Sequence, residues 1–150
     1  MHNRAIMAAI LGLRKTTPLV NALADGTHTS GLTKKCDAVL SAANLLVKTG
    51  TDADHVAVTA AVTDIPLGAI ESPTDAIEDT VGVRLLGKGG TKLGVASGAI
   101  AVGDRLTPAA AGKVSTYASG SAAFIGRALT AAADGELVEY NDCHPFTITA

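Results

Sequence analysis

The side chains with chemistry to offer are few: Cys36 and Cys143, four histidines, and two acids, Asp52 and Asp54, directly before His55. A cysteine nucleophile needs a base within hydrogen-bond reach of its sulfur. Cys143 and His144 are chain neighbours, and neighbours in a strand face opposite sides, so the geometry between them is awkward. Cys36 has only histidines distant in sequence to draw on. Neither thiol has CxxC spacing, and in a protein assembled in the cytoplasm two reduced, buried thiols are the expectation. A disulfide between them would require the two ends of the domain to meet.

Asp52 and Asp54, two residues apart, can point the same way, and His55 can join them around a divalent ion if the loop curls. The run Thr51-Asp-Ala-Asp54 lacks the further oxygen ligands of a calcium loop, which favours a plain acidic surface turn. Gly87-Lys-Gly-Gly90 invites a phosphate-cradle reading, but the GxxxxGK[ST] pattern and a following helix are both missing, so a hairpin turn is predicted. His2 and His28 suggest nothing beyond solvent contact. With no recognisable nucleophile, cofactor loop or strong metal spacing, the chain is expected to bind rather than catalyse, and to need no cofactor and no metal.

The elements that position these residues read as short strands. From Lys92 to Tyr140, alternating apolar residues are cut at intervals by Gly, Asp, Pro and Ser, the punctuation of β-hairpins. Val102-Gly-Asp-Arg-Leu106 leads a strand into Thr107-Pro108, and Ala111-Gly112-Lys113-Val114 brings the chain back through a turn whose glycine can take positive φ. Further strands are predicted near 44–49 and 55–60, while Cys36–Leu46 is ambiguous between helix and strand. Ile65–Ile70, a polar loop and Val81–Leu86 match Phe124–Leu129, a loop and Leu137–Tyr140 in order, a weak internal repeat suited to a barrel or sandwich of related halves. Asn141–Pro145 reads as a turn before a last short strand at Phe146–Thr149, with Pro145 at an edge.

Gly94-Val-Ala96, Val102-Gly-Asp-Arg-Leu106, Gly112-Lys-Val114, Ile125-Gly-Arg-Ala-Leu129 and Asp134-Gly135 before Leu137-Val138 follow one another in an order that resembles the capsid cement, or head decoration, proteins of tailed bacteriophages. The likeness runs over roughly residues 36 to 145 and rests on order and spacing. It implies a mainly β body, a compact barrel or sandwich of short antiparallel strands, that self-associates, often as a trimer. It also implies the major capsid protein as partner, the outer surface of the virion as location after assembly in the host cytoplasm, and stabilisation of the mature head as function. The alternative is a small surface-displayed β-barrel that binds a glycan or peptide; the scarcity of aromatic platforms, 3% of residues with no Trp, weighs against it.

Composition and charge fit a two-part chain, a basic arm over residues 1–35 and a β-rich body over 36–150. The arm holds Arg4, Arg14, Lys15, Lys34 and Lys35 against Asp25 alone, a balance of +4; with a chain total of −2, the body carries −6. In MHNRAIMAAILGL, Ile6, Ile10 and Leu13 share a helical face, so a short amphipathic helix is expected there. The run is far too short to span a bilayer, and Arg14-Lys15 closes it without a clear signal-peptide cleavage site. Thr16–Lys35 is rich in Thr, Ser and Gly and cannot build its own core. A basic arm on an acidic body is suited to an acidic surface, of a protein shell or of a neighbouring subunit, the alternative being a plain solvated terminus. Ile6, Ile10, Leu13, Arg14 and Lys15 are therefore the candidate capsid contacts. The basic residues are too few, and lack interleaved aromatics, for nucleic acid.

Overall fold

A computed structural model describes residues 31–149. The amphipathic helix and the candidate contacts Ile6, Ile10, Leu13, Arg14 and Lys15 lie outside the described residues. Ten strands follow one another: β1 (Gly31–Cys36), β2 (Leu46–Thr49), β3 (His55–Val58), β4 (Gly68–Ile70), β5 (Thr80–Leu85), β6 (Thr91–Val95), β7 (Arg105–Pro108), β8 (Val114–Thr116), β9 (Ala122–Ala128) and β10 (Leu137–Ile148). The fold is mainly β, as expected, and its two halves are successive in sequence. The first five strands close a barrel in the order β1-β3-β2-β4-β5, and the last five form a sheet in the order β6-β10-β9-β7-β8. All strand pairs are antiparallel except one, the β1–β3 seam, which pairs Lys35 with His55 and Cys36 with Val56 in parallel.

β1 shows the period of two directly: Leu32, Lys34 and Cys36 are buried while Gly31, Thr33 and Lys35 face out. The strand therefore takes in five residues assigned to the arm from sequence. Lys34, counted there among the arm's charges, turns inward, and its ammonium donates to the Ala53 carbonyl. Polar residues hid the strand because the alternation carries a lysine at one of its inner positions, where the long stem supplies apolar packing.

Two cores follow from the two sheets. Leu32, Cys36, Leu40, Leu45, Val47, Val56, Ile70, Val81 and Val83 fill the barrel, and a second cluster around Leu106, Val114, Ile125, Val138 and Tyr140 lies under the sheet. Leu46 and Ala69 belong to the second cluster although they sit on barrel strands, while their neighbours Val47 and Ile70 point into the barrel. β2 and β4 are thus covered on both faces, which explains why they read as continuous apolar runs rather than alternating ones. The junction of barrel and sheet is reinforced by Thr59, fully buried, whose hydroxyl donates to the Ala109 carbonyl at 3.0 Å and whose carbonyl accepts from Gly112 N–H at 3.0 Å. Gly112 is at φ +72, and a Cβ there would stand 2.9 Å from Leu45 Cβ, so both backbone conformation and contact demand glycine.

The paired segments of the internal repeat each form an antiparallel pair, β4 with β5 in the barrel and β9 with β10 in the sheet. Two turn expectations change. Gly87–Gly90 is not a hairpin turn, because β5 and β6 belong to different sheets; it carries the chain from barrel to sheet. Asn141–Pro145 is not a turn between two strands. β10 runs on for 12 residues with its register shifted between Asp142 and Phe146, so Cys143, His144 and Pro145 together oppose Ile125. Gly126, at φ +154, lets β9 follow that bulge, and a side chain there would overlap the Asn141 carbonyl. Pro145 falls where β10 has lost its β6 neighbour, the edge position that a residue without an N–H tolerates. No helix among the described residues is long and apolar enough to cross a membrane.

Candidate interaction surfaces and polar clusters

The acidic group ahead of His55 assembles, with different partners from those its sequence suggests. His55 opens β3, and the turn before it brings Asp52 Oδ1 to 2.7 Å from its Nδ1. On the other side Glu78, from the loop leading to β5, places Oε1 2.9 Å from Nε2. Glu78 Oε2 in turn accepts from Lys35 Nζ of β1 at 3.1 Å. Asp54 contributes its backbone N–H to Asp52 Oδ1 at 2.8 Å. The hydrogen bond to Asp52, then that to Glu78, raises the His55 pKa above its ordinary value. The same bonds hold Asp52 low, and Lys35 followed by His55 holds Glu78 low. With a carboxylate against each ring nitrogen, the group is built as a chain of alternating charges rather than as a set of metal ligands. Glu78, 23 residues away, is the member that sequence spacing missed. No group of three His, Cys, Asp or Glu able to hold a metal ion occurs among the described residues.

The two thiols are far apart in role. Cys36 is fully buried in the barrel, its Sγ donating to the Ala76 carbonyl at 3.2 Å and lying 3.4 Å from Thr74 Oγ1. Cys143 sits in the β10 bulge, and burial, then the charge of Asp142, pushes its thiol pKa up. A raised pKa keeps the thiol protonated and slow to react. Both cysteines are free.

A second polar group is buried where barrel and sheet meet. The Asp142 side chain is fully covered; its Oδ2 accepts from Gly87 N–H at 2.7 Å and lies 3.7 Å from Lys92 Nζ, itself almost covered. This carboxylate fastens the glycine-rich crossover onto the β10 bulge. Close packing completes the join, since a Cβ at Gly87 would fall 2.7 Å from His144 Cα. Tyr140, on the same face of β10, is fully buried, and desolvation raises its hydroxyl pKa strongly, Asp142 adding to the rise and Arg84 opposing it.

The outer face of the sheet is different in kind. Leu93, Glu139 and Leu129 lie side by side across β6, β10 and the end of β9, with Leu137 two residues before Glu139. The three leucines are 37%, 46% and 51% exposed in chain order. The next row carries Asn141, Arg127 and Arg105, the two arginines directly opposite each other. Neither arginine, nor Glu139, forms an ion pair with another described residue. Farther along, Phe124 and the half-exposed Phe146 pair across the strands with ring centroids 5.3 Å apart. Alternation along β10 says only that Leu137 and Val138 face opposite sides; that Leu137 is on the exposed one, and the apolar row it belongs to, come from the packing and the strand register.

No protein-family model and no curated protein sequence matches the chain. Among solved structures, the chain is similar to the head fiber gp8.5 N base of bacteriophage phi29, with a TM-score of 0.61 and 24% sequence identity. The match covers 76% of this chain and 93% of that one. The likeness establishes a shared fold.

Proposed function

We propose that this chain is a structural protein of a phage particle that binds the outside of the head and stabilises it by binding rather than by catalysis. The observation that carries this reading is the fold shared with nearly the whole head fiber base, taken with the order of motifs from Gly94 to Val138. The basic leading segment supplies the contact with an acidic capsid surface through Ile6, Ile10, Leu13, Arg14 and Lys15. Copies of the β body associate with one another, as a trimer, and the exposed face of the sheet suits that contact: it offers leucines for burial and both an acid and two arginines for pairing with the same face chemistry on a neighbour.

Removing residues 1–20 is expected to leave a folded body that no longer joins the head, scored by circular dichroism and by sedimentation with purified capsids. Replacing Arg14 and Lys15 together with Glu weakens that binding, and the binding of the unaltered chain declines as salt rises. Truncation that unfolds the body, or binding indifferent to both charge and salt, contradicts the arm's role.

A further inference from the structure

The barrel closes through a short seam. β1 and β3 share only two paired positions, Lys35 with His55 and Cys36 with Val56, and the backbone bonds holding them run from Lys35 N–H to Asp54 O at 2.9 Å and from Asp37 N–H to Val56 O at 3.0 Å. Over this seam lies the chain of charges Lys35, Glu78, His55 and Asp52, one contributed by β1, one by the loop before β5, one by β3 and one by the turn before β3. Glu78 reaches its place with a backbone φ of +67, a conformation that costs a non-glycine residue energy and persists only where its surroundings hold it. Its own N–H donates to the Cys36 carbonyl at 2.9 Å, and its carboxylate is held by Lys35 and His55.

From this arrangement we infer that His55 is a proton-dependent latch on the barrel seam: protonated, its ring donates to Asp52 and Glu78 at once, and neutral, it must release one of them. A neutral imidazole has one N–H and one lone pair, whereas a carboxylate only accepts, so one of the two contacts becomes a lone pair facing a negative oxygen. Three other charged residues of the segments that form the seam have partners of their own. Asp37 accepts from Thr51 N–H and its hydroxyl, both at 2.9 Å, Asp79 accepts from Asp75 and Ala76 N–H, and the Lys34 ammonium is held by the Ala53 carbonyl.

The sign follows from the directions of the shifts. His55 is raised above its ordinary 6.5, so its contribution is complete below that value and is lost as pH climbs through the higher folded one. Asp52 and Glu78 are lowered, so theirs holds above the ordinary carboxylate range and is lost only as pH falls through their lower folded values. The latch is closed at and below the ordinary histidine value and opens as pH climbs through the raised folded one.

The test uses the full chain. The His55 ring is titrated by NMR, and amide exchange at Lys35 and Asp37 is followed at pH 6 and 8.5 after correction for intrinsic base catalysis, in the unaltered chain and in His55→Gln. The inference expects a His55 midpoint above 6.5 and a several-fold loss of protection at both amides in the unaltered chain between the two pH values. It expects no comparable loss in His55→Gln, whose side chain does not titrate. A midpoint at or below 6.5, or the same pH-dependent loss in both proteins, overturns it. If the variant does not fold, the unaltered chain decides: loss of protection at Lys35 and Asp37 must follow the His55 ring titration, and loss that does not follow it overturns the inference.

Discussion

The two halves of the molecule solve the same problem, burying short apolar strands with few aromatic residues, in opposite ways. The barrel closes on itself, so its strands have no free edge, and it depends on a polar latch where the circle is completed between β1 and β3. The sheet stays open, covers its inner face with the barrel wall through Leu46 and Ala69, and leaves leucines on its outer face. A closed unit has little left to offer a partner; an open one has a whole face. On the proposed function the first half supplies stability and the second association, and substitutions can separate those roles.

The largest effect is expected where the halves meet. Leu46→Ala removes a fully buried side chain from the shared wall and should destabilise the whole domain by about 2–5 kcal/mol, measured by denaturant unfolding, as a single transition. Two separate transitions would show that barrel and sheet fold independently. Asp142→Ala takes the carboxylate away from the buried Lys92 ammonium and from the Gly87 N–H, and a loss of about 3 kcal/mol is expected, with exchange rising first around the crossover and the β10 bulge. Loss spread evenly over the barrel would place the join elsewhere. Gly112→Ala, forced into a left-handed conformation against Leu45, should cost about 1–3 kcal/mol. Smallest for stability is Leu137→Glu on the open face: it should move unfolding by less than about 0.5 kcal/mol yet reduce self-association in analytical ultracentrifugation. Unchanged association would remove the sheet face from the account.

Much of this was legible from residue order. Gly112 at positive φ and the loop that ends at Asp134-Gly135 before β10 both follow from residues that accept conformations others resist. The period of two in Glu136–Tyr140 puts Leu137 and Val138 on opposite sides of β10, but only the packing shows that Val138 and Tyr140 are on the buried one. What local pattern does not carry is the partner of each strand. The parallel β1–β3 seam, Glu78 reaching His55, and the fit of Gly126 to the β10 bulge all depend on contacts between distant segments. For the same reason the glycine-rich Gly87–Gly90 looked like a hairpin: its residues describe a turn, and only sheet topology says where the two ends go. β1 was hidden for a different reason, because Lys34 occupies an inward position that composition assigns to solvent.

The central claim, that this chain is part of a phage head, is tested most directly by counting it. Quantitative mass spectrometry of purified particles from the phage or prophage that encodes it should find hundreds of copies in a simple ratio to the major capsid protein. Its absence from the particle would contradict the claim and leave a free binding domain on the same fold.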